Sequence, residues 1–424
     1  MSFTETEQLE LSQQLVLECD LLDQRFAALK KSRVNPENKQ KMIESYERLV
    51  KFLRKEVDHI DKHGAALVPE IDFDDVWKNG GKLPDDFTKL VHERGCLILR
   101  NIISEEQAVS WETSLKDYTK RHPGVGGHPH HKPAAWNVFW AKAQMEMRTN
   151  PRVLEAMKCV SRLWHVSDPT IPIDLDSHVI YPDRIRIRYP SNDPGQFPLD
   201  PHMDSGAIER WEDEENRKNY AAIFEGNWQD WDACLLSMEK SSRMAVPFKH
   251  TNWRGNTTSA AKSKAVHGVY YAATIVSYWG FFPTVEGHPD LDIKRAIIGI
   301  PPVRPGDYVF WHCDLVHGVD PTNPGLVDSS VSYNACNPLT PYNIESLLTT
   351  REAFQKGDVP IDFTRGHGTC EREYDHEDCG AKIENILTKG GLRAMGLERL
   401  DAEEEGLTQG RKEVREMANK KLGL

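Results

Sequence analysis

The chain has 424 residues, of which 39% are hydrophobic and 28% are charged, and its mean hydropathy is -0.58. This composition is typical of a globular protein, and no apolar run approaches the roughly 20 residues that a membrane-spanning helix needs. The formal net charge of -12 argues against a nucleic-acid-binding protein, which would carry a basic surface.

The cysteines and the first residues of the chain indicate a compartment. The 8 cysteines are scattered and form neither a CxxC motif nor the spacing of a disulfide framework, which favours reduced thiols. Residues 1–7 lack the basic and apolar regions of a signal peptide. We therefore expect a cytoplasmic protein that binds neither membranes nor nucleic acids.

The N-terminal residues predict two helices. Apolar side chains recur at helical spacing from Leu9 to Leu29 and again from Ile43 to Leu53, on either side of a break at residues 33–38. We interpret residues 1–62 as a helical arm that packs against the rest of the chain. The same helices are a candidate surface for assembly into a homo-oligomer.

From about residue 65 the pattern changes to short strands and intervening helices. Residues 95–100 predict a buried strand, and Ser104 is a candidate N-cap for a helix that continues to about Lys120. Pro151 to Leu163 predicts a further helix. Many short strands with long connections are typical of a jelly-roll barrel. The predicted strands are residues 184–190, 271–276, 296–300, 308–311 and 330–335.

Two histidines and an aspartate carry the strongest chemical signal. His202 and Asp204 lie two residues apart, so that on an extended strand both side chains point to the same face. His317 lies far downstream, after a turn and a strand. Two imidazoles and one carboxylate leave coordination positions open and suit Fe(II). His312 competes with His317 for the third position, and a zinc hydrolase with the same ligand types is the neighbouring alternative.

These motifs resemble the Fe(II)/2-oxoglutarate-dependent dioxygenases, and residues 95–100 are similar to the first strand of their phytanoyl-CoA-hydroxylase-type members. Residues 184–211, 311–314 and 395–398 are similar to a bacterial and fungal branch of that superfamily whose function is unknown. The resemblance covers most of residues 65–400. It implies a double-stranded β-helix (jelly-roll, cupin-like) core. Together with the flanking helices and the N-terminal helical hairpin predicted above, we expect an α+β fold.

The resemblance also implies an activity. His202, Asp204 and His317 would hold Fe(II), 2-oxoglutarate would be the cosubstrate, and a small molecule would be hydroxylated or desaturated. Residues 63–363 would form the dioxygenase-like domain, and residues 364–424 a polar, helical tail. Because His202 and His317 are unusually far apart for a small barrel, we expect an insertion at about residues 211–266.

The cosubstrate site departs from the pattern of the resemblance. Many members bind the far carboxylate of 2-oxoglutarate with a basic residue soon after the distal histidine, whereas this sequence has none between His317 and Arg351. The alternating strand at residues 184–190 places its arginines on one face, so we expect Arg186 or Arg188 to be the anchor. The hydroxyls of Ser332 and Tyr333 are candidates to support it.

Three residues are candidates for contact with the substrate. Arg210, Trp211 and His312 are candidates for substrate contact, and the insertion is the expected place of substrate selection. Two alternatives stay open at this stage. One is a cupin-like metal-dependent hydrolase or isomerase without cosubstrate, and the other is a metal-binding sensor barrel without turnover.

Overall fold

The computed structural model describes residues 24–33, 35–129, 132–192, 199–202, 211–212, 214–236, 283, 288–312, 315–320, 322–363 and 372–424. The helices of these residues are α1 Gln24–Ser32, α2 Lys39–His63, α3 Phe73–Lys78, α4 Asp85–Arg94, α5 Glu105–Arg121, α6 Lys142–Thr149, α7 Pro151–Ser161, α8 Glu214–Lys218, α9 Ala221–Phe224, α10 Ile293–Ala296, α11 Pro341–Lys356, α12 Lys389–Ala394 and α13 Gln409–Leu422. The strands are β1 Glu70–Asp72, β2 Cys96–Arg100, β3 Gly127–His128, β4 Ala135–Trp136, β5 His165–Val166, β6 Asp174–His178, β7 Ile185–Arg188, β8 Leu199–His202, β9 Leu235–Leu236, β10 Tyr308–Trp311, β11 His317–Val319, β12 Ser329–Ser332 and β13 Pro338–Leu339.

The N-terminal helices break where the sequence predicts. α1 ends at Ser32 and α2 begins at Lys39, after a turn in which the Asn35 side chain accepts a hydrogen bond from the Glu37 N–H at 3.0 Å. The helix α2 packs against later residues: the Trp228 indole donates to the Ser45 carbonyl at 3.2 Å. Residues 9–23 of the predicted hairpin lie outside the described residues, and no helix among the described residues is long and apolar enough to cross a membrane.

The predicted buried strand is confirmed as the centre of a three-stranded sheet. β2 pairs with β1 in parallel and with β10 in antiparallel register, and Leu97, Ile98 and Leu99 are fully or almost fully buried. The predicted cap also holds, because the Ser104 hydroxyl accepts from the Gln107 N–H at the start of α5. α5 and α7 pack their apolar faces against this sheet in the main core cluster.

A second sheet has the strand order β12-β7-β4-β3. The central strand β7 is buried at all four positions, with Ile185 and Ile187 in the main core and Arg186 and Arg188 on the other face. In the antiparallel register of β7 and β12, Val331 lies opposite Arg186. Directly opposed residues share a face of a sheet, so this register fixes which side chains can meet the arginines.

The strand predicted at residues 296–300 is wrong. α10 ends at Ala296, and residues 297–300 form no strand. The proline pair Pro301-Pro302 that follows lacks the N–H groups that a sheet ladder requires, which disfavours continued pairing there. The strand predicted at residues 271–276 and most of the predicted insertion lie outside the described residues.

The described strands form sheets of two to four strands, and within the described part of the chain these sheets do not close into a barrel. The small sheets besides the two above are β11-β8, β13-β6 and β5-β9. The jelly-roll core and the domain boundaries therefore stay predictions.

Residues 372–424 contribute to the core. Val414, Ala418 and Leu422 of α13 pack with Leu339 and Leu347 in one apolar cluster. The helix is also held by charge. The Arg415 guanidinium donates to the fully buried Asp174 carboxylate of β6 at 2.7 Å, and Arg411 donates to its other oxygen at 2.9 Å.

Candidate metal centre

Two predicted ligands face each other across the β8–β11 pair. His317 is the antiparallel register partner of His202, and the centroids of their rings are 4.4 Å apart with an interplanar angle of 51°. His202 is almost completely buried. Side chains at directly opposed positions of neighbouring strands lie on one face, so the fold brings these two imidazoles together from distant parts of the sequence.

The hydrogen bond of His317 decides which of its ring nitrogens carries the proton. Its Nδ1 lies 2.9 Å from the Leu315 carbonyl oxygen, which can only accept. Nδ1 must therefore donate, and in the neutral ring Nε2 keeps its lone pair. A backbone carbonyl that fixes the tautomer in this way is the usual partner of a metal-ligating histidine. The Trp311 ring, 5.1 Å from the His317 ring between centroids, forms one side of the site.

The third predicted ligand, Asp204, lies outside the described residues. Within the described residues no group of three His, Cys, Asp or Glu side chains is placed to hold a metal ion. The described part thus supplies two imidazoles. Their proximity and the tautomer of His317 fit the histidine half of a two-histidine, one-carboxylate iron site.

His312, the competing third ligand, is placed elsewhere. β10 ends at Trp311, and the His312 N–H donates to the Gly95 carbonyl at 2.7 Å. Its ring stacks on Trp164 with 5.0 Å between centroids. His312 does not line the cavity at the histidine pair. The geometry therefore favours His317 as the ligand, and it gives no support to His312 as a substrate contact.

The histidine pair opens on a large cavity of about 1400 Å³. The predicted anchors Arg186 and Arg188 line the same cavity, as do Ser332 and Tyr333. Most of the other lining side chains are apolar, among them Trp111, Leu115, Ile298, Val309, Phe310, Leu315 and Val319. Polar groups at a mainly apolar cavity are the usual form of a small-molecule site.

The two arginines are buried close to each other. Arg188 Nη2 donates to the Asp320 carbonyl at 2.6 Å, just after β11, and its Nε makes no hydrogen bond among the described residues. Burial lowers the pKa of Arg188, and the positive charge of Arg186 lowers it further. Two neighbouring buried cations would be stabilised by an anion in the cavity.

The predicted hydroxyl groups lie on opposite faces of this sheet. Ser332 is the register partner of Ile185, so its side chain is on the face away from the arginines. Its Oγ is buried and has no hydrogen-bond partner among the described residues. Tyr333 follows by strand alternation on the arginine face, where it interacts electrostatically with Arg188. Tyr333, rather than Ser332, can therefore support an anion held by the arginines.

Of the candidate substrate residues, Trp211 and His312 do not line the cavity. Trp211 packs against Tyr220 and Phe224, with ring centroids 5.1 and 6.0 Å away, and it is not among the lining residues. Arg210 lies outside the described residues.

Asn137 and Tyr308 are among the polar residues of the cavity wall that sequence reasoning missed. The Tyr308 hydroxyl is buried without a hydrogen-bond partner among the described residues, and burial raises its pKa. Tyr308 is the first residue of β10, directly after the turn at Gly306 and Asp307. Its place at the start of a predicted strand could have identified it as a residue of the cavity wall. Asn137 follows the short strand β4, and no motif in the neighbouring sequence indicates that it lines a cavity.

The chain is similar to several known proteins. A family model described as Gig2-like matches residues 20–252 and 276–397. The crystal structure of GlcNAc Inducible Gene 2, GIG2, from Candida albicans is 31% identical, with a TM-score of 0.78 and 95% of each chain covered. A structure from Salmonella typhimurium LT2, named "Putative Oxidoreductase", is 22% identical with a TM-score of 0.67, covering 88% of this chain and 96% of that one. The Escherichia coli K12 protein YbiU is 25% identical over 383 residues, which is 81% of this chain and 88% of that protein.

These matches correct the family resemblance inferred from the sequence. The family model that matches is Gig2-like and not one of the Fe(II)/2-oxoglutarate-dependent, phytanoyl-CoA-hydroxylase-type dioxygenases. The resemblance was inferred from motifs within residues 65–400, whereas the family model matches residues 20–252 and 276–397.

Proposed function

The chain belongs to the Gig2-like family, and from this premise we propose that it is a non-haem Fe(II)- and 2-oxoglutarate-dependent oxygenase that hydroxylates or desaturates a small molecule. The observation that carries the proposal is the opposed pair His202 and His317 at the wall of an arginine-containing cavity. The printed name of the Salmonella structure agrees with the broader class of oxidoreductase.

The histidine pair would hold the metal through its two imidazoles, and Asp204 would complete the set from two residues beyond His202. Neutral imidazoles and a carboxylate suit Fe(II) and leave positions open for a cosubstrate and oxygen. When bound, the iron would supply oxygen activation at the cavity wall. The hydrogen bond from His317 Nδ1 to the Leu315 carbonyl fixes the ring orientation that this role requires.

Arg186 and Arg188 would bind the far carboxylate of 2-oxoglutarate. Both guanidinium groups are buried, and a carboxylate between them would relieve their mutual repulsion and form charge-assisted hydrogen bonds. The contact of Arg188 with the Asp320 carbonyl holds one edge of that guanidinium, which orients the remaining donors. Tyr333 on the same face adds a hydroxyl.

The cavity also bears on the substrate. In hydroxylation, one substrate C–H bond, one O2 and one 2-oxoglutarate give a C–OH group, succinate and CO2. The apolar walls formed by side chains such as Ile298, Val309 and Phe310 exclude water and favour a substrate with an apolar body. A cavity of about 1400 Å³ has space for such a substrate beside the small diacid cosubstrate.

The test is an anaerobic titration with Fe(II) and then 2-oxoglutarate, followed by absorbance in the visible and by iron analysis. His202→Ala should weaken iron binding by at least about 100-fold, because a metal ligand is lost. His312→Ala is the matched control and should bind iron normally. Equal iron affinity in both variants and the unmodified protein would overturn the metal site.

The cosubstrate is tested separately with Arg188→Met. Iron should bind normally, while 2-oxoglutarate affinity should fall by about 10- to 100-fold, the value of a charge-assisted hydrogen bond. Unchanged 2-oxoglutarate affinity would reject this anchor. Turnover without succinate release would favour the hydrolase or isomerase, and metal binding without oxygen consumption would favour the sensor.

A further inference from the structure

A buried chain of three polar side chains joins α5 to residues 372–380, away from the candidate metal centre. Glu373 is 2% exposed, and its Oε2 lies 3.2 Å from the Tyr118 hydroxyl. The same hydroxyl lies 2.6 Å from Nδ1 of His376. Tyr118 therefore stands between a carboxyl group and an imidazole, and its single hydroxyl proton can serve only one of them.

The backbone decides where a proton on Glu373 must lie. Oε1 of Glu373 accepts hydrogen bonds from the Phe139 N–H at 2.6 Å and from the Trp140 N–H at 3.0 Å. The Trp140 nitrogen is also 3.1 Å from Oε2. Because donors occupy Oε1, a proton on the carboxyl group must be on Oε2, where it faces the Tyr118 oxygen.

Two hydrogen-bond arrangements follow. With Glu373 ionised, Tyr118 donates to Oε2, and the phenol oxygen accepts from a protonated Nδ1 of His376. With Glu373 protonated, Oε2–H donates to Tyr118, and Tyr118 donates to Nδ1, which must then lack its proton. An ionised Glu373 with Tyr118 turned toward His376 would leave lone pairs in contact at 3.2 Å and is disfavoured.

The charged groups around Glu373, Tyr118 and His376 are compatible with both hydrogen-bond arrangements. Burial raises the pKa of Glu373 to about 7 despite its hydrogen bonds and the nearby Arg148 and Tyr118, and Cys379 is a further titratable neighbour. The His376 ring is stacked on His122, with 3.7 Å between centroids and an interplanar angle of 10°. The groups that face this stack are Asp378, which accepts from His122 Nε2 at 2.6 Å, and Arg121, which pairs with Asp378.

We propose that Glu373, Tyr118 and His376 form a reversible proton switch in which the carboxyl group takes up a proton from solvent and the ring proton of a neutral His376 moves, by exchange with solvent, from Nδ1 to Nε2. The direction of both hydrogen bonds reverses, while α5 and residues 372–380 stay joined.

Histidine ring nitrogen NMR on the full chain tests the switch, with His376 assigned from a His376→Gln sample. From about pH 9 to about pH 5, an ordinary histidine gains ring protons. Here Nδ1 of His376 should lose its proton as Glu373 gains one, which is the opposite sense. An Nδ1 that stays protonated, or gains its proton on acidification, would overturn the proposal.

Two variants isolate the mechanism. In Glu373→Gln, the amide oxygen accepts from the backbone and the amide N–H2 donates to Tyr118, so that the variant imitates protonated Glu373. Nδ1 of His376 should then be unprotonated at every pH. Tyr118→Phe removes the link, and the reversed response should disappear. A response like that of the unmodified protein in either variant would refute the switch, and the second variant gives an answer where the first does not fold.

Discussion

Glu373 should make the stability of this protein fall as pH rises through neutrality. Its pKa is about 7 in the folded protein, against an ordinary carboxyl value of 4.5. Between these values the folded chain holds a proton that the unfolded chain releases, so stability is greatest below about pH 4.5 and decreases toward pH 7. At about 1.4 kcal/mol for each pH unit, the decrease amounts to about 3 kcal/mol from this group. Glu373→Gln cannot titrate and should lack this component.

Urea unfolding at a series of pH values measures the effect through the difference between variant and unmodified protein. Glu373→Gln should be relatively more stable above pH 7, and the difference should change by about 3 kcal/mol between low and high pH. Glu377→Gln, the same substitution at an exposed position four residues on, should give a difference independent of pH. A pH-independent difference for Glu373→Gln, or one that changes in the opposite direction, would refute the argument from burial.

Two further predictions concern the packing of the chain. Asp174→Asn leaves the guanidinium of Arg415 without its buried carboxylate partner and should cost about 3–5 kcal/mol in urea unfolding. Glu403→Gln, in an exposed pair with Lys412, should leave the stability nearly unchanged, and equal costs would contradict the assigned role of burial. Gly306→Ala should cost more than about 2 kcal/mol by thermal unfolding, because its φ is +91° and a Cβ would lie 2.0 Å from the Ile103 oxygen. Gly406→Ala has the same kind of φ and no neighbour within 4 Å, so it should cost only about 1 kcal/mol, and a similar loss in both would show that the close approach does not matter.

Local signals predicted much of the secondary structure. The apolar run of β2, the Ser104 cap of α5 and the Pro151 start of α7 each depend on residues within one element, and all are present. The strand predicted at residues 296–300 did not form: its apolar side chains suit a strand, but helix α10 precedes these residues and two prolines follow them. Periodicity records side chains and not the availability of backbone N–H groups.

The candidate site was predictable in part, for a physical reason. His202 and His317 could be proposed because metal chemistry restricts the ligand types, and the structure places them in register. The sequence could not show that the arginine-bearing face of β7 is buried, because alternation shows only that Arg186 and Arg188 share a face. Ser332 was a candidate to support the arginines, and only the register with β7 shows that it lies on the opposite face.

The proton switch could not be seen in the sequence. Glu373 stands among acidic residues that predict a solvated surface, and its partner Tyr118 is 255 residues away. The burial of a carboxyl group depends on tertiary packing and on the two backbone N–H groups that receive it. No spacing rule links those groups to Glu373.

The placement of α13 has a consequence for biosynthesis. Asp174 and Leu339 contact residues 411–422 at the far end of the chain. After β6 has been synthesised, more than half of the whole chain must still be made before the Asp174 carboxylate can pair with its arginines. Until then the emerging polypeptide carries an unfilled apolar surface around Leu347 and a charge that cannot be buried. The upstream layers can assemble early, but this region must close late, which makes the nascent chain a natural client of chaperones that shield exposed apolar surface.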